Sequence, residues 1–146
     1  MDTEETKKNV EFFSDRLLAA LTQSSALAVA LEAQEKSADV GFDFKDIGIV
    51  MSKVHEEFQE VQAAFETREK DLAHFHEEIG DCFFVLVNLC RHAKVDPEKL
   101  LQANVQKYLL RCKYIEDLLM QSGRKWTDMS LEEIYATWKE AKKSGL

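Results

Sequence analysis

The scarcity of helix-breaking residues is the feature that most constrains the fold of this chain. It contains one proline and five glycines among 146 residues. Because Gly and Pro mark turns and interrupt helices, so few of them exclude a turn-rich all-β sandwich or barrel and favour long helices. The length fits one compact domain better than two. We therefore predict an all-α fold, an antiparallel bundle of about five to six helices joined by short connections.

Apolar residues recur at helical spacing along most of the chain, and this spacing places the helices. The predicted helices cover approximately residues 4–21, 25–40, 44–67, 71–94 and 97–122, with a short last helix after residue 130. Two of them have long apolar faces that we expect to point inward. These faces comprise Val50, Val54, Phe58, Val61 and Phe65 on the third helix, and Leu101, Val105, Tyr108, Cys112, Ile115 and Leu119 on the fifth.

Short polar residues and glycine mark the predicted helix ends. Ser24 or Ser25 is expected to cap the second helix, and Asp43 the third, because their side chains can accept from free backbone N–H groups. Gly41 is expected to end the second helix. The segment Ser130–Glu133 has the pattern of a capping box for the last helix.

The charge balance excludes several classes of protein. With 27 acidic and 19 basic residues the net charge is −8, which argues against binding to nucleic-acid backbones. A composition of 45% hydrophobic and 32% charged residues fits neither a disordered chain nor a membrane-spanning one. The acidic start lacks the basic and then apolar pattern of a secretory signal. We therefore expect a cytoplasmic protein that binds neither nucleic acid nor membranes.

The spacing of the three cysteines predicts neither a disulfide nor a cysteine metal site. Cys82, Cys90 and Cys112 show no CxxC spacing. Cys82 and Cys90 share one predicted helix and lie roughly 12 Å apart by helical rise, which is too far for a disulfide. We expect buried, reduced thiols.

Two predicted helices each carry a pair of carboxylates three residues apart. Glu57 and Glu60 share one face of the third helix, and Glu78 and Asp81 share one face of the fourth. Packed face to face, the two pairs would form a cage of oxygen ligands of the kind that Mg²⁺ prefers. Alternatively, these acids form a salt-bridge lattice with Lys53, which lies one turn before Glu57.

Asp81 is the most informative of these acids. Six apolar residues, Cys82–Val87, follow it directly, so we expect this helix to be buried all round and Asp81 to be drawn into the core. A buried carboxylate must be paired, protonated or bound to metal because an isolated buried charge is costly.

Basic residues recur along a polar stripe of the fifth helix. Asn104, Lys107 and Arg111 share one face, and Trp138 and Lys142 lie one turn apart on the last helix. Basic side chains beside a carboxylate–metal cage suit an anionic ligand such as a polyphosphate. The alternatives are an ordinary solvated face for the two cations and a packed core position for Trp138.

The order of these motifs resembles MazG-type nucleotide pyrophosphohydrolases. The acidic segments Glu56–Glu60 and Glu78–Asp81 match the family's EExxE and ExxD signatures. Further similar segments are Gly41–Phe44, Val87–His92, Asp96–Glu98, Ala103–Lys107 and Trp138–Lys142. The resemblance covers about residues 25–143, which suggests a domain over 25–146 preceded by an accessory helix over 1–24.

The resemblance implies an all-α homodimer that hydrolyses nucleoside triphosphates to monophosphate and pyrophosphate with Mg²⁺, for which Mn²⁺ can substitute. It assigns the metal to Glu57, Glu60, Glu78 and Asp81, and the abstraction of a proton from water to Glu57 or Glu60. The residues expected to bind substrate are Lys53, Asn104, Lys107, Arg111, Trp138 and Lys142.

Other readings remain open at this point. Leu110 and Cys112 depart from the family pattern, in which a second basic residue and an aromatic are frequent, so the phosphate clamp is expected to be looser. A di-iron carboxylate bundle would use similar acids, but it requires Glu-x-x-His motifs that the sequence lacks. A non-catalytic helical binding module and a hydrolase with narrower substrates, such as dUTP, are the remaining alternatives.

Overall fold

A computed structural model describes residues 12–146, and all regular structure in that range is helical. It contains six α-helices and one 3₁₀ turn, Trp126–Asp128. The all-α prediction is therefore confirmed for this part of the chain. The start of the predicted first helix lies outside the described residues. The helices are α1 (Phe13–Ala20), α2 (Ala26–Asp39), α3 (Ile47–Thr67), α4 (Leu72–His92), α5 (Pro97–Ser122) and α6 (Leu131–Lys143).

Several helix ends form as their residues predict. The Ser130 Oγ accepts from the Glu133 N–H at 3.2 Å, and the Glu133 carboxylate accepts from the Ser130 N–H at 2.8 Å. This reciprocal pair is the predicted capping box of α6. Gly41 ends α2 with φ of 88°, a conformation that side chains with a Cβ rarely adopt.

The predicted cap of α3 is wrong, and the predicted cap of α2 is right in position but makes no capping hydrogen bond. Asp46 rather than Asp43 caps α3, and its Oδ1 accepts from the Ile49 N–H at 3.0 Å. Asp43 lies three residues before this cap, and its carboxylate instead accepts from the Phe44 N–H and from the guanidinium of Arg91. Ser25 occupies the N-cap position of α2, but its hydroxyl donates to Glu98 and makes no capping bond.

The chain forms two compact units, one extending to Glu98 and the other from Lys99 to Leu146. In the first unit α3 packs along α4, while α2 packs on α4 and α1 on α2. Val50, which is fully buried, Val54 and Val85 lie in its core. In the second unit Ile115 and Ala141 are fully buried.

The apolar faces of α3, α4 and α5 are only partly covered. On α5, Ile115 and Leu119 are buried as predicted, but Leu101, Val105 and Tyr108 are about half exposed. The prediction that this whole face points inward is therefore wrong. Periodicity identifies the apolar face of a helix, but it does not show whether the same chain covers that face.

The prediction that α4 is buried all round is also wrong. Phe83 is 63% exposed and Phe84 is 51% exposed, while their neighbours Cys82 and Val85 are buried. On α3, Phe58 and Phe65 are likewise about half exposed. The apolar run after Asp81 therefore has one face in the core and one face at the surface of this chain.

The cysteines are unpaired, as predicted. Cys82 is buried, and Cys90 and Cys112 are half-buried. Burial raises the pKa of the Cys82 and Cys90 thiols, so both favour the less reactive thiol form. Within residues 12–146, no helix combines the length and the apolar character needed to cross a membrane.

Candidate metal centre and adjoining cavity

Three of the four predicted metal ligands lie together in the first unit. Glu57 and Glu60 project from α3 and Glu78 from α4, and each offers a carboxylate oxygen within 4.8 Å of the other two. The close packing of α3 along α4 brings the two helices' acids together. We refer to these three residues as the acidic cluster.

The acidic cluster is poorly compensated by positive charge. The Lys53 Nζ lies 3.1 Å from a carboxylate oxygen of Glu57 and 3.0 Å from one of Glu56. Hydrogen bonds to Glu56 and then Glu57 raise the pKa of Lys53, which keeps it charged. Local desolvation, followed by repulsion from Glu57, raises the pKa of Glu60.

The donor set of the acidic cluster fits a hard divalent cation. All three residues contribute carboxylate oxygens, the ligand type that Mg²⁺ and Mn²⁺ prefer. Glu57 is only 8% exposed, so its negative charge is costly without a cationic partner. Lys53 supplies one positive charge on one side of the cluster. An excess of negative charge therefore remains, which a bound cation would offset.

Asp81 does not join the acidic cluster in this structure. It is exposed, which contradicts the prediction that it is drawn into the core. The physical reason is the half-exposed α4, which leaves the Asp81 position in contact with solvent. Asp81 nevertheless lines a cavity together with Lys53 and Glu57.

This cavity, which we call the side cavity, has a volume of about 360 Å³ and a mostly apolar lining. That volume lies within the range of roughly 300–1,000 Å³ typical of small-molecule pockets. Its lining residues come from α2, from the loop after α2, and from α3 and α4. They are Gln34, Ser37, Phe42, Asp43, Phe44, Lys53, Glu57, Asp81, Phe84, Val85 and Asn88.

An ion-pair network braces the loop that lines the side cavity. The Arg91 guanidinium donates to both carboxylate oxygens of Asp43, and the His92 Nε2 lies 3.2 Å from Asp43. The Arg91 hydrogen bond lowers the pKa of Asp43 to about 2, with a smaller contribution from His92. Asp43 lies between Phe42 and Phe44, so the network ties both aromatic residues to the end of α4.

The remaining predicted substrate residues lie in the second unit. The Arg111 guanidinium lies 5.5 Å from the centre of the Trp138 ring, and the Arg111 Nε donates to the Leu146 carbonyl at 2.9 Å. The ring of Tyr108 lies 5.2 Å from that of Trp138. The structure therefore brings Arg111 and Trp138 together, while Asn104, Lys107 and Lys142 are exposed.

Sequence reasoning missed two residues that the structure places at the site. His74, to which the sequence patterns assign no role at the site, has its Nδ1 3.3 Å from a carboxylate oxygen of Glu78. Its position one helical turn before Glu78 is a signal that the sequence contains. Gln34 is 6% exposed, and its position one turn after Ala30 on the apolar side of α2 is a weaker signal.

Comparison with known proteins relates this chain to one enzyme family. Residues 46–115 match the MazG nucleotide pyrophosphohydrolase domain. Over 117 residues, 80% of this chain, it is 37% identical to the nucleoside triphosphate pyrophosphohydrolase/pyrophosphatase MazG of Thermotoga maritima. Over 118 residues it is 35% identical to a nucleoside triphosphate pyrophosphohydrolase of Escherichia coli K12. The matched regions cover 44% and 45% of those two proteins.

A shorter match joins the chain to a protein of Bacillus subtilis named uncharacterized protein YabN. The two are 40% identical over 67 residues, which is 46% of this chain and 14% of that protein. The resemblance predicted from the sequence is thereby confirmed. The chain spans less than half of the length of these curated relatives.

Proposed function

We propose, on the premise that residues 46–115 match the MazG nucleotide pyrophosphohydrolase domain, that the chain hydrolyses nucleoside triphosphates to monophosphate and pyrophosphate. One observation carries the proposal. The acidic cluster of Glu57, Glu60 and Glu78 lies beside a cavity of small-molecule size, and Glu57 belongs to both. A carboxylate cluster that holds a cation, next to an apolar cavity, would suit a ligand with an anionic end and a flat, weakly polar end.

Glu57, Glu60 and Glu78, joined by Asp81, would hold Mg²⁺ or its substitute Mn²⁺. A bound cation of this kind would offset the charge of a triphosphate and make a coordinated water more acidic. Lys53 supports the arrangement because its ion pairs hold Glu56 and Glu57 on one side of α3.

Of the two candidate bases, Glu60 is better placed to accept a proton. The carboxylate of Glu57 is buried and already engaged by Lys53, which leaves it less accessible to a water molecule. Glu60 is exposed and belongs to the same cluster. We therefore assign Glu60 the role of taking a proton from the attacking water, and Glu57 the role of a ligand.

The basic residues are proposed to offset the negative charge of the phosphates. Lys53 already lies at the edge of the acidic cluster, while Lys107 and Arg111 provide cations on α5. Trp138 and Lys142 of α6 and Asn104 of α5 are proposed to contact the nucleotide. Stabilising the charge that develops on a transferred phosphoryl group is the main task in such reactions.

We also propose that a second copy of the chain covers the exposed apolar faces. Leu101, Val105 and Tyr108 on α5 are each about half exposed, as are Phe83 and Phe84 on α4. Large exposed apolar patches mark interaction surfaces, and the same faces on two identical chains can pair around a two-fold axis. Sedimentation equilibrium should therefore report a dimer, and a monomer at micromolar concentration would contradict this assignment.

The activity is tested by incubating the purified protein with Mg²⁺ and each natural nucleoside triphosphate. Pyrophosphate and inorganic phosphate are quantified separately, and the nucleotide product is identified by chromatography. Equal amounts of pyrophosphate and monophosphate are expected. Release of inorganic phosphate alone, or no turnover of any triphosphate, would show that the proposal is wrong.

A further inference from the structure

We propose that the side cavity binds the nucleobase and selects bases with an exocyclic amino group through the amides of Gln34 and Asn88. This inference rests on the proposed function, because it assigns one end of the nucleotide to a cavity beside the acidic cluster. The observations that carry it are a buried amide oxygen without a partner and two amides whose orientations are set by their neighbours.

The orientation of the Gln34 amide is unambiguous. Its Nε2 donates to the backbone carbonyl of Phe84 at 2.9 Å, and a carbonyl can only accept. The amide nitrogen must therefore face Phe84, and Oε1 must face away from it. Gln34 Oε1 is buried and has no hydrogen-bond partner among the described residues. Such a group costs free energy unless a donor reaches it.

The orientation of the Asn88 amide is set by a partner that can only donate. Its Oδ1 accepts from the Arg91 Nε at 3.0 Å, and a guanidinium can only donate. The Nδ2 group of Asn88 is therefore the donor that this side chain can offer to the cavity. Arg91 also binds Asp43. The same residue therefore holds the loop and orients the Asn88 amide.

The other walls of the side cavity suit a flat, weakly polar ring. Phe42, Phe44 and Phe84 line it together with Val85. Aromatic and aliphatic walls bind flat ligands by burying apolar area, while a few polar groups set their orientation. Glu57 and Asp81 also line the cavity and connect it with the groups proposed to hold the metal. A nucleotide needs such an arrangement, with a place for the base next to a place for the phosphates.

The position of the partnerless oxygen favours amino-bearing bases. Gln34 lines the side cavity and its Oε1 is buried, so we expect that only a donor protruding from the ring can approach this oxygen. Adenine, cytosine and guanine carry a protruding amino group, whereas thymine and uracil present carbonyl oxygens in its place. The ring N–H of uracil lies between two carbonyl oxygens, which would face Gln34 Oε1 and repel it. A ring acceptor beside the amino group, such as N3 of cytosine, suits the Nδ2 donor of Asn88.

The first experiment compares kcat/KM for CTP and UTP, which differ at this edge, in the wild type and in Gln34→Leu. The wild type should prefer CTP by on the order of tenfold, because a site with a buried polar group discriminates against ligands that leave it unpaired. Gln34→Leu should lose most of this preference through a lower kcat/KM for CTP. The matched control is Gln121→Leu, an exposed glutamine of α5, which should retain the wild-type ratio.

The second measurement uses the wild-type protein and does not depend on turnover. Cytidine and uridine are titrated without metal, and the side-chain amide signals of Gln34 and Asn88 are followed by NMR. Both signals should move with cytidine, less with uridine, and not with pyrophosphate. These spectra also test the base-site proposal if Gln34→Leu does not fold.

The outcomes separate the two proposals. If no triphosphate releases pyrophosphate but cytidine moves both amide signals, the proposed function is wrong and the base site stands. If triphosphates are hydrolysed with equal kcat/KM for CTP and UTP in both proteins, the base-site proposal is wrong. Nucleosides that leave both amide signals unmoved would overturn it as well.

Discussion

The acidic cluster and the side cavity lie next to each other, share Glu57, and are built in different ways. The cluster gathers three like charges from two helices, and Lys53 and His74 pair with its members. The cavity gathers single polar groups among aromatic residues, and each amide is oriented by a partner that can only accept or only donate. Under the two proposals, the cluster would supply charge for the chemistry, whereas the cavity would supply shape and oriented polar groups for selectivity.

The largest effect is expected from Glu57→Gln, which removes the charge shared by both regions. The amide is a weaker ligand than the carboxylate, so pyrophosphate release should fall by at least about a hundredfold. The control is Glu56→Gln, which also removes a Lys53 partner but lies outside the acidic cluster. Its turnover should remain within about threefold of the wild type, since exposed ion pairs contribute little. Similar losses in both variants would show that Lys53 pairing, rather than the cluster, supports activity.

A comparable loss is expected from Asp81→Ala, which tests how far the acidic cluster extends. Asp81 lines the side cavity and lies outside the group of three carboxylates. If it completes the metal site, turnover should fall on the order of a hundredfold. Because Asp81 is exposed, the helical signal in circular dichroism should stay unchanged. Wild-type turnover in this variant would restrict the site to Glu57, Glu60 and Glu78.

The smallest effect is expected from Asp43→Asn, which weakens the bracing of the cavity and leaves the cluster intact. The pKa of Asp43 lies near 2 in the folded chain, below its ordinary value of 3.8. Because this pKa is lower in the folded chain than in the unfolded chain, the ionised Asp43 contributes its full stabilisation above about pH 4. This stabilisation is lost as the pH falls from 4 towards 2. The contribution is about 1 kcal/mol after allowance for solvent screening of a partly exposed pair.

Denaturant unfolding followed by fluorescence at pH 7 and pH 3 measures this difference. The wild type should lose more stability between the two pH values than Asp43→Asn does. Equal losses would show that the Arg91 pair does not stabilise the loop. CTP selectivity should decrease in the variant, because Arg91 then orients Asn88 with less support.

Much of the fold could be predicted because it depends on local signals. Helix positions follow from apolar spacing and from the low content of Pro and Gly, and the capping box at Ser130 and Glu133 lies within one turn. The cap of α3 could not be predicted in this way. Asp43 and Asp46 are both suitable capping residues by sequence, but the structure pairs Asp43 with Arg91, 48 positions away, and begins α3 directly after Asp46.

The candidate site could be predicted in part. The pairing of Glu57 with Glu60 follows from helical spacing, and the addition of Glu78 follows from packing α3 along α4. The burial of Asp81 was predicted from the apolar run that follows it, and this was wrong because one face of α4 is exposed. Gln34 was not identified, since a single glutamine in a helix has no chemical signature until its neighbours are known.

The sequence by itself determined the helices and the spacing of the acids along them, because both depend on the 3.6-residue repeat and on caps formed by near neighbours. Only the tertiary structure decided which acids meet, which apolar faces this chain leaves exposed, and how the Gln34 and Asn88 amides point. These properties depend on distances between groups far apart in the sequence. The bond from Gln34 to the Phe84 carbonyl, across 50 positions, is set by the packing of α2 on α4.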